Sequence, residues 1–312
     1  YFETFAEDKV LYPFGYGLSY TNFEIFAAYE IKEDNIVISA TVTNVGDTYS
    51  GKEVVQVYYS APQGRLGKPT VELAAYAKTN EIAPGASQTL TVIFPIKNMA
   101  SYDDSGKSGH KSAWVMEAGE YKLLVGNSCR ELKYIGSYNV SKTVVIEQLS
   151  EASAPTEAFK RLQPVVLENG NITQGFETTP TATVNMVERV LKNLPKTIEM
   201  TENKGITLMD VYNAKHTMEE FIAQFTVEEL AVLTRGNGYQ GYEKVDATSN
   251  GGAFGGISDS LMEKGIPAVS TRGTPAGIGA GGKRTKIPIA TMLACTFNDR
   301  LVEELYYYVG LE

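Results

Sequence analysis

Residues 11–20 read LYPFGYGLSY, and TNFE follows directly at residues 21–24. Four aromatic rings share this short segment, while one proline and two glycines prevent a regular helix through it. A segment with so much apolar surface and no regular structure of its own must pack against something larger. The pattern therefore predicts a strap that leads into a folded domain after Asn22.

Residues 22–147 alternate in short strand-like runs separated by turn residues. Residues 36–45, IVISATVTNV, alternate apolar and small polar side chains and end at a Gly-Asp turn. Strands at this spacing, with no helical window among them, predict a β-sandwich. The predicted strands are 23–29, 36–45, 54–59, 71–78, 87–95, 113–118, 121–125 and 143–146.

Two side-chain groups of this β-region have both a structural and a functional interpretation. Trp114 is the sole tryptophan, and a core position is favoured over a sugar-binding platform. The pair Asp103-Asp104 stands beside Ser105-Gly106-Lys107, which favours a solvated turn over a catalytic carboxylate pair.

The pattern changes after residue 149. Residues 150–207 are rich in Ser, Thr, Glu, Asn and Pro, which predicts a linker or wrapping arm with a weak helix at 184–194. TMEE at 217–220 and TVEE at 226–229 match the capping box that opens a helix. A short buried strand at 266–270 and a helix capped by Asn298 follow, so the sequence predicts the start of an α/β domain.

Charge, hydropathy and the number of cysteines and histidines argue against several classes of function. A net charge of −9 and a pI near 5.0 argue against nucleic-acid partners and against a polybasic membrane patch. The sequence contains no apolar run long enough to span a bilayer. Two distant cysteines and two histidines do not indicate a disulfide scaffold or a metal cluster.

Two glycine clusters invite a ligand-binding interpretation. GIGAGG at 277–282 satisfies G-x-G-x-x-G, but Pro288 argues against the helix that a dinucleotide site needs next. GGAFGG at 251–256 fits a flexible loop and equally fits a backbone-lined rim where a ligand approaches closely.

Several motifs agree, in order, with one enzyme family. The strap with its continuation, PFGYGLSYTNFE, GIPAV at 265–269, PAGI at 275–278 and IPIATMLACTFN at 287–298 resemble glycoside hydrolase family 3, the β-glucosidase and β-xylosidase family. The resemblance implies a mixed fold: a fibronectin type III-like β-sandwich, then a linker and the first part of a (β/α)8 barrel. Its implied domains are 1–21 (the tail of a preceding α/β-sandwich domain and the strap), 22–148 (β-sandwich), 149–206 (linker) and 207–312 (incomplete barrel).

The same resemblance implies a function. Family members are retaining β-glycosidases, so the expected reaction is hydrolysis of terminal β-linked glucose or xylose from oligosaccharides or glycosides, with no metal or other cofactor. The expected partners are this substrate and either a second copy of the chain or a chain that complements it. No nucleic-acid or membrane partner is expected, and the expected location is the cytoplasm. A non-catalytic fibronectin-like binding module, or a degenerate family 3 copy, is the alternative.

The resemblance also supplies candidate substrate-binding residues. Arg235 and Phe254 lie in segments similar to those near the family's active-site mouth. Gly273 aligns with the family's sugar-binding Asp, and Arg272 stands beside it, so either the copy is altered or 272–274 reflects a sequence change. The family's nucleophile and acid/base fall outside this chain. No catalytic residue is therefore assigned, and the chain alone is expected to be inactive.

Overall fold

A computed structural model of the chain describes residues 3–236, 252–271, 276–277 and 285–312. The chain divides into two compact units, Tyr1–Lys192 and Asn193–Glu312.

The first unit is built mainly from antiparallel strands, with one short helix at each end. The helices are α1 (Glu3–Ala6) and α2 (Met186–Lys192). The strands are β1 (Phe23–Lys32), β2 (Asn35–Asn44), β3 (Val54–Ser60), β4 (Glu72–Lys78), β5 (Ser87–Pro95), β6 (Ser101–Asp103), β7 (Ala113–Met116), β8 (Gly119–Gly126), β9 (Leu132–Val140), β10 (Val144–Gln148), β11 (Lys160–Val166) and β12 (Ile172–Thr178).

The strands form sheets that pack into a fibronectin-like β-sandwich. The sheet orders are β1-β2-β5, β4-β3-β8-β9, β10-β7-β6 and β11-β12, and every pair is antiparallel. The alternation predicted for residues 36–45 is confirmed, because Ile36, Ile38 and Val42 of β2 are completely buried. They share one core with Val57 of β3 and Leu123 of β8.

Most strands of the sandwich follow the sequence pattern, but β6 and β9 were not predicted from it. In β9 the alternation breaks at Gly136, where the register against β8 shifts between Leu123 and Leu124. Gly136 has φ +146°, and a Cβ there would lie 2.1 Å from the ring of Tyr29. The bulge therefore hides the period of two on which strand prediction depends.

The core assignment of Trp114 is wrong. On β7, Ala113, Val115 and Met116 are buried, while Trp114 keeps 40% of its surface exposed. Its ring lies 5.5 Å from that of Tyr102 on β6. Residue type alone therefore did not predict the exposure of Trp114.

The solvated-turn interpretation of Asp103 is also wrong. Its side chain is completely buried. One carboxylate oxygen accepts backbone N–H bonds from Ser105 at 3.0 Å and Gly106 at 2.7 Å, and the other accepts one from Ser108 at 2.7 Å. Asp103 therefore organises the loop that follows it.

The segment predicted as a linker contains the hairpin β11–β12, which the sequence pattern did not indicate. Arg161 of β11 donates to both carboxylate oxygens of Asp104, at 2.5 and 2.8 Å, and to Glu177 of β12 at 2.7 Å. A Cβ on Gly67 would lie 3.2 Å from the ring of Pro164, which is buried. These contacts hold the hairpin against loops of the sandwich, within the first unit.

Residues 11–20 contact the sandwich at their centre. Gly15 accepts a bond from the side-chain amide of Gln56 at 3.2 Å, and Phe14 accepts one from the backbone of Cys129 at 2.9 Å. Both ends of the strap are exposed, with Leu11 at 80% and Tyr20 at 92%. Much of the strap's apolar surface therefore stays uncovered by the described residues.

The second unit is mainly helical. Its helices are α3 (Leu208–Tyr212), α4 (Met218–Ala223), α5 (Val227–Arg235), α6 (Asp259–Glu263), α7 (Ala290–Ala294) and α8 (Asp299–Leu311), and its strands are β13 (Ala253–Gly255) and β14 (Ala268–Ser270). The predicted capping boxes at Thr217 and Thr226 are confirmed, as is the Asn298 cap, and Thr207 forms a further box.

The two strands of this unit pair antiparallel, and in the described ranges they and the helices do not form a barrel. The helices pack around a small core of Ile206, Phe221, Phe225 and Leu261.

Candidate functional site

Arg235 and Phe254, two of the four candidate residues, are brought to the same place by a glycine. Helix α5 ends at Arg235, and the next residue, Gly236, caps it with φ 65° and an N–H bond to Val232 at 2.8 Å. A Cβ on Gly236 would lie 3.1 Å from the carbonyl oxygen of Ala253 and 3.5 Å from Cβ of Phe254. Because Gly236 has no side chain, the end of α5 can rest against β13.

Both of these side chains face solvent. Arg235 is exposed, and Phe254 keeps 49% of its surface accessible. A guanidinium and an aromatic ring at one exposed place offer several hydrogen-bond donors beside an apolar face.

The other two candidates, Arg272 and Gly273, lie outside the described residues. The chain is placed up to Thr271, whose N–H donates to the carbonyl of Gly252 at 2.7 Å. Phe254 pairs with Val269 across the two strands. The described end of this strand therefore runs from the level of Phe254, at Val269, to that of Gly252, at Thr271.

The glycines of 252–256 serve the packing of the chain on itself. Gly255 has φ +81°, and a Cβ there would lie 2.4 Å from the carbonyl oxygen of Pro267. At Gly256 the corresponding distance to the carbonyl oxygen of Ile266 would be 1.9 Å. Side chains at these two positions would separate the backbones, so close strand packing explains these glycines without a ligand.

A buried ion pair joins α5 to the C-terminal end of α6. Nζ of Lys264 lies 2.7 Å from Oε1 of Glu229, with 7% and 10% of the side chains exposed. Burial by itself raises the pKa of Glu229, but the hydrogen bonds from Lys264 and from the backbone of Thr226 outweigh it and lower the pKa. Nζ also lies 5.4 Å from the ring centroid of Phe225, within cation–π range.

From the sequence, Glu229 is accounted for as the last residue of the capping box TVEE at 226–229. The structure adds Lys264, which stands 35 residues away in the sequence and caps α6 at its C-terminal end. The charge of Glu229 is therefore committed to holding α5 and α6 together, and the local sequence carried no signal of that pairing.

Comparison with known proteins finds one domain family in the β-sandwich and relatives over the whole chain. Residues 53–129 match the fibronectin type III-like domain family. The whole chain is 44% identical to a β-glucosidase of Ruminococcus albus and 38% identical to β-glucosidase A of Butyrivibrio fibrisolvens. A solved β-glucosidase from Paenibacillus barengoltzii superposes on 98% of the chain with a TM-score of 0.91 at 43% identity.

The chain is a relative of the glycoside hydrolase family 3 β-glucosidases. The resemblance drawn from the strap and the motifs at 265–298 is confirmed. This β-glucosidase relative spans 32% of the Ruminococcus protein, 40% of the Butyrivibrio protein and 34% of the solved chain.

Within the described ranges, no three His, Cys, Asp or Glu side chains come together in a way that could hold a metal ion. The helices found there are all too short or too polar to cross a membrane.

Proposed function

We propose that this chain forms part of a retaining β-glycosidase that releases terminal β-linked glucose, or xylose, from oligosaccharides or glycosides. The observation that carries the proposal is the full-length match: all of the chain aligns with the Ruminococcus β-glucosidase at 44% identity. The TM-score of 0.91 against the Paenibacillus β-glucosidase supports the same assignment for the fold.

The proposed domains are those implied by the resemblance. Residues 22–148 are the fibronectin type III-like domain, 149–206 a linker or wrapping arm that carries the hairpin β11–β12, and 207–312 the first part of a (β/α)8 barrel that needs further strands to close. Residues 1–21 are the tail of an α/β-sandwich domain and the strap. Exposed aromatic residues such as Tyr12 and Tyr20 support a junction there, because a neighbouring domain would cover them.

Within this enzyme, we assign Arg235 and Phe254 to the mouth of the sugar site. Their support is the close approach of α5 to β13 and the exposure of both side chains. The aromatic ring of Phe254 would lie against the C–H face of a sugar ring, and Arg235 would donate to its hydroxyls. Arg272 and Gly273 are assigned to the same site through their position after β14.

The two catalytic carboxyl groups belong, in this proposal, to the parts of the relatives that the chain does not match. A retaining glycosidase needs a nucleophile and an acid/base about 5–5.5 Å apart. The 312 residues alone are therefore expected to show no turnover.

A chimera tests the proposal. The matching third of the Ruminococcus β-glucosidase is replaced by this chain, and hydrolysis of aryl β-glucosides and aryl β-xylosides is measured. We expect the chimera to turn over these substrates. The 312 residues alone and the Ruminococcus enzyme lacking that third should show no turnover. A folded chimera that turns over none of these substrates contradicts the enzyme assignment.

One observation favours the alternative of a degenerate copy. Glycine at position 273 would leave sugar hydroxyls without the carboxylate that accepts them in the family. A chimera that binds glucose but does not hydrolyse the glucosides would support this alternative.

A further inference from the structure

Trp114 lies on β7, the central strand of the sheet β10-β7-β6, and is partly exposed. It pairs directly with Tyr102 of β6 on one side and with Glu147 of β10 on the other. The rings of Trp114 and Tyr102 are 5.5 Å apart and tilted by 54°, and each residue is 40% exposed. Two aromatic rings and a carboxylate thus stand side by side on one surface of the sandwich.

A cleft of about 480 Å³ opens at this surface. Five apolar residues line it, among them Trp114, Ile146 and Leu73 of β4, and Lys97, Asn98 and Glu147 contribute polar groups. The cleft therefore combines an aromatic platform with one cationic, one neutral and one anionic hydrogen-bonding group.

A neighbouring cleft of about 660 Å³ is also lined by Lys97 and Ile146. It adds the aromatic ring of Tyr138 and the amide of Asn139. The shared residues make the two clefts adjoin, so the surface has room for a ligand longer than a single ring.

The chemistry of this surface selects among ligand classes. A nucleic acid is disfavoured by the net charge of −9 and by Glu147 at the platform. A wholly apolar ligand would leave the charged groups of Lys97 and Glu147 unpaired. A neutral ligand with an apolar face and a rim of hydroxyls satisfies both the rings and the polar groups, and a pyranose ring has this character.

We propose that the β-sandwich binds a neutral oligosaccharide at this place, with one sugar ring on Trp114 and its hydroxyls bonded to Asn98 and Glu147. The proposal goes beyond the hydrolysis proposed above and stands on the first unit alone. It does not depend on residues 207–312 belonging to an active enzyme.

The fluorescence of Trp114 reports sugar binding at this place directly, because Trp114 is the sole tryptophan of the chain. The 312-residue chain is titrated with cellotetraose, laminaritetraose and maltotetraose while tryptophan emission and acrylamide quenching are followed. Binding should shift the emission to shorter wavelength and reduce quenching, with half-saturation on the order of 1 mM for at least one of the sugars.

Matched variants locate the binding. Tyr102→Ala and Glu147→Gln should each weaken it about fivefold or more, because each removes a ring or a charged acceptor next to Trp114. The controls are Tyr134→Ala, an aromatic residue 57% exposed on β9, and Glu81→Gln, an exposed carboxylate in a loop; neither should change binding. Glu147 is exposed, so its variant tests the site even where Tyr102→Ala perturbs folding.

No change in emission or quenching with any of the three sugars, well above millimolar concentration, overturns the proposal. So does equal weakening by the control variants. Neither result bears on the chimera assay, because this titration measures binding without hydrolysis.

Discussion

Nζ of Lys68 lies 2.5 Å from Oε2 of Glu117, and only 2% and 7% of the two side chains are exposed. The ammonium group also donates to the carbonyl of Pro62 at 2.7 Å. The carboxylate in turn accepts backbone N–H bonds from Arg65 at 2.8 Å and Leu66 at 3.3 Å. The loop between β3 and β4 therefore folds around one buried charge pair.

Removing one partner of this pair should destabilise the sandwich strongly. Lys68→Met leaves the Glu117 carboxylate buried without its cation, and we expect a loss of about 3–5 kcal/mol in the free energy of unfolding. Urea unfolding followed by Trp114 emission measures the loss. The double variant Lys68→Met/Glu117→Leu should recover part of it, because no uncompensated charge remains. A single variant as stable as the parent would show that the pair is not buried in solution.

Substitution of Gly64 should lower the free energy of unfolding, because a side chain there would collide with the Glu117 carboxylate. A Cβ there would lie 2.4 Å from Oε2 of Glu117, and φ is +52°. Gly85 is a matched control, since its φ is +71° and none of the described residues has an atom within 4 Å of where its Cβ would lie. Both alanine variants carry the backbone strain, but only Gly64→Ala displaces the carboxylate. We expect Gly64→Ala to cost about 1–3 kcal/mol more in unfolding free energy than Gly85→Ala. Equal costs would contradict the close contact.

Local patterns predicted the parts of this fold that depend on neighbouring residues. The alternation in β2 and the Thr-x-x-Glu boxes at Thr217 and Thr226 each act over a few residues, and the structure has all three. The Lys68–Glu117 and Lys264–Glu229 pairs join residues 49 and 35 positions apart, so only the tertiary structure brings them together.

The candidate site also combines features that the sequence predicts with features that only the tertiary structure shows. Family resemblance selected Arg235 and Phe254, but their proximity depends on Gly236 packing against β13, which no local pattern encodes. Residue type alone favoured a core position for Trp114, and the structure leaves 40% of its surface exposed. Hydrophobicity indicates that a side chain can be buried, whereas the surrounding tertiary structure decides whether it is.

Asp103 should make the stability of the sandwich depend on acid pH. Burial alone raises its pKa, but hydrogen bonds from Ser108, Ser105 and Gly106 outweigh this and hold the pKa below its ordinary value of 3.8. A carboxyl whose pKa is lower in the folded state stabilises the fold above its unfolded pKa. That contribution is lost as pH falls through the folded pKa.

The variant Asp103→Asn tests this dependence. Its amide nitrogen replaces one of the acceptors of the loop N–H groups, so near neutral pH the variant should lose about 1–3 kcal/mol of unfolding free energy. Urea unfolding at pH values above and below 3.8 should show the difference from the parent shrinking at the lower pH. A difference that stays constant with pH would argue that Asp103 is not the group responsible.

Arg161 should control the attachment of the hairpin β11–β12. Its guanidinium bonds Asp104 through two nitrogens and Glu177 through the third, a geometry that an ammonium group cannot reproduce. Arg161→Met should cost about 1 kcal/mol, allowing for solvent screening of a partly exposed group. Arg161→Lys should restore only part of this.

Hydrogen exchange of residues 160–178 reports on the hairpin directly, and it should accelerate in both Arg161 variants. Lys32→Met is the control, because Lys32 pairs with Glu30 on an exposed surface, with 64% and 55% of the side chains accessible. Unchanged exchange in the hairpin would mean that contacts such as Gly67–Pro164 hold it without the charges.

Gly273→Asp should restore a sugar contact in the Ruminococcus chimera. The family resemblance implies a carboxylate at the aligned position, and each sugar hydroxyl left unpaired costs roughly 1–3 kcal/mol, or roughly 5- to 150-fold in affinity. We therefore expect kcat/KM for an aryl β-glucoside to rise by a factor in that range. Gly85→Asp adds the same charge at a turn of the sandwich and should leave the rate unchanged. A rise with both variants would reflect a general charge effect, and no rise with Gly273→Asp would place the sugar hydroxyls against other residues.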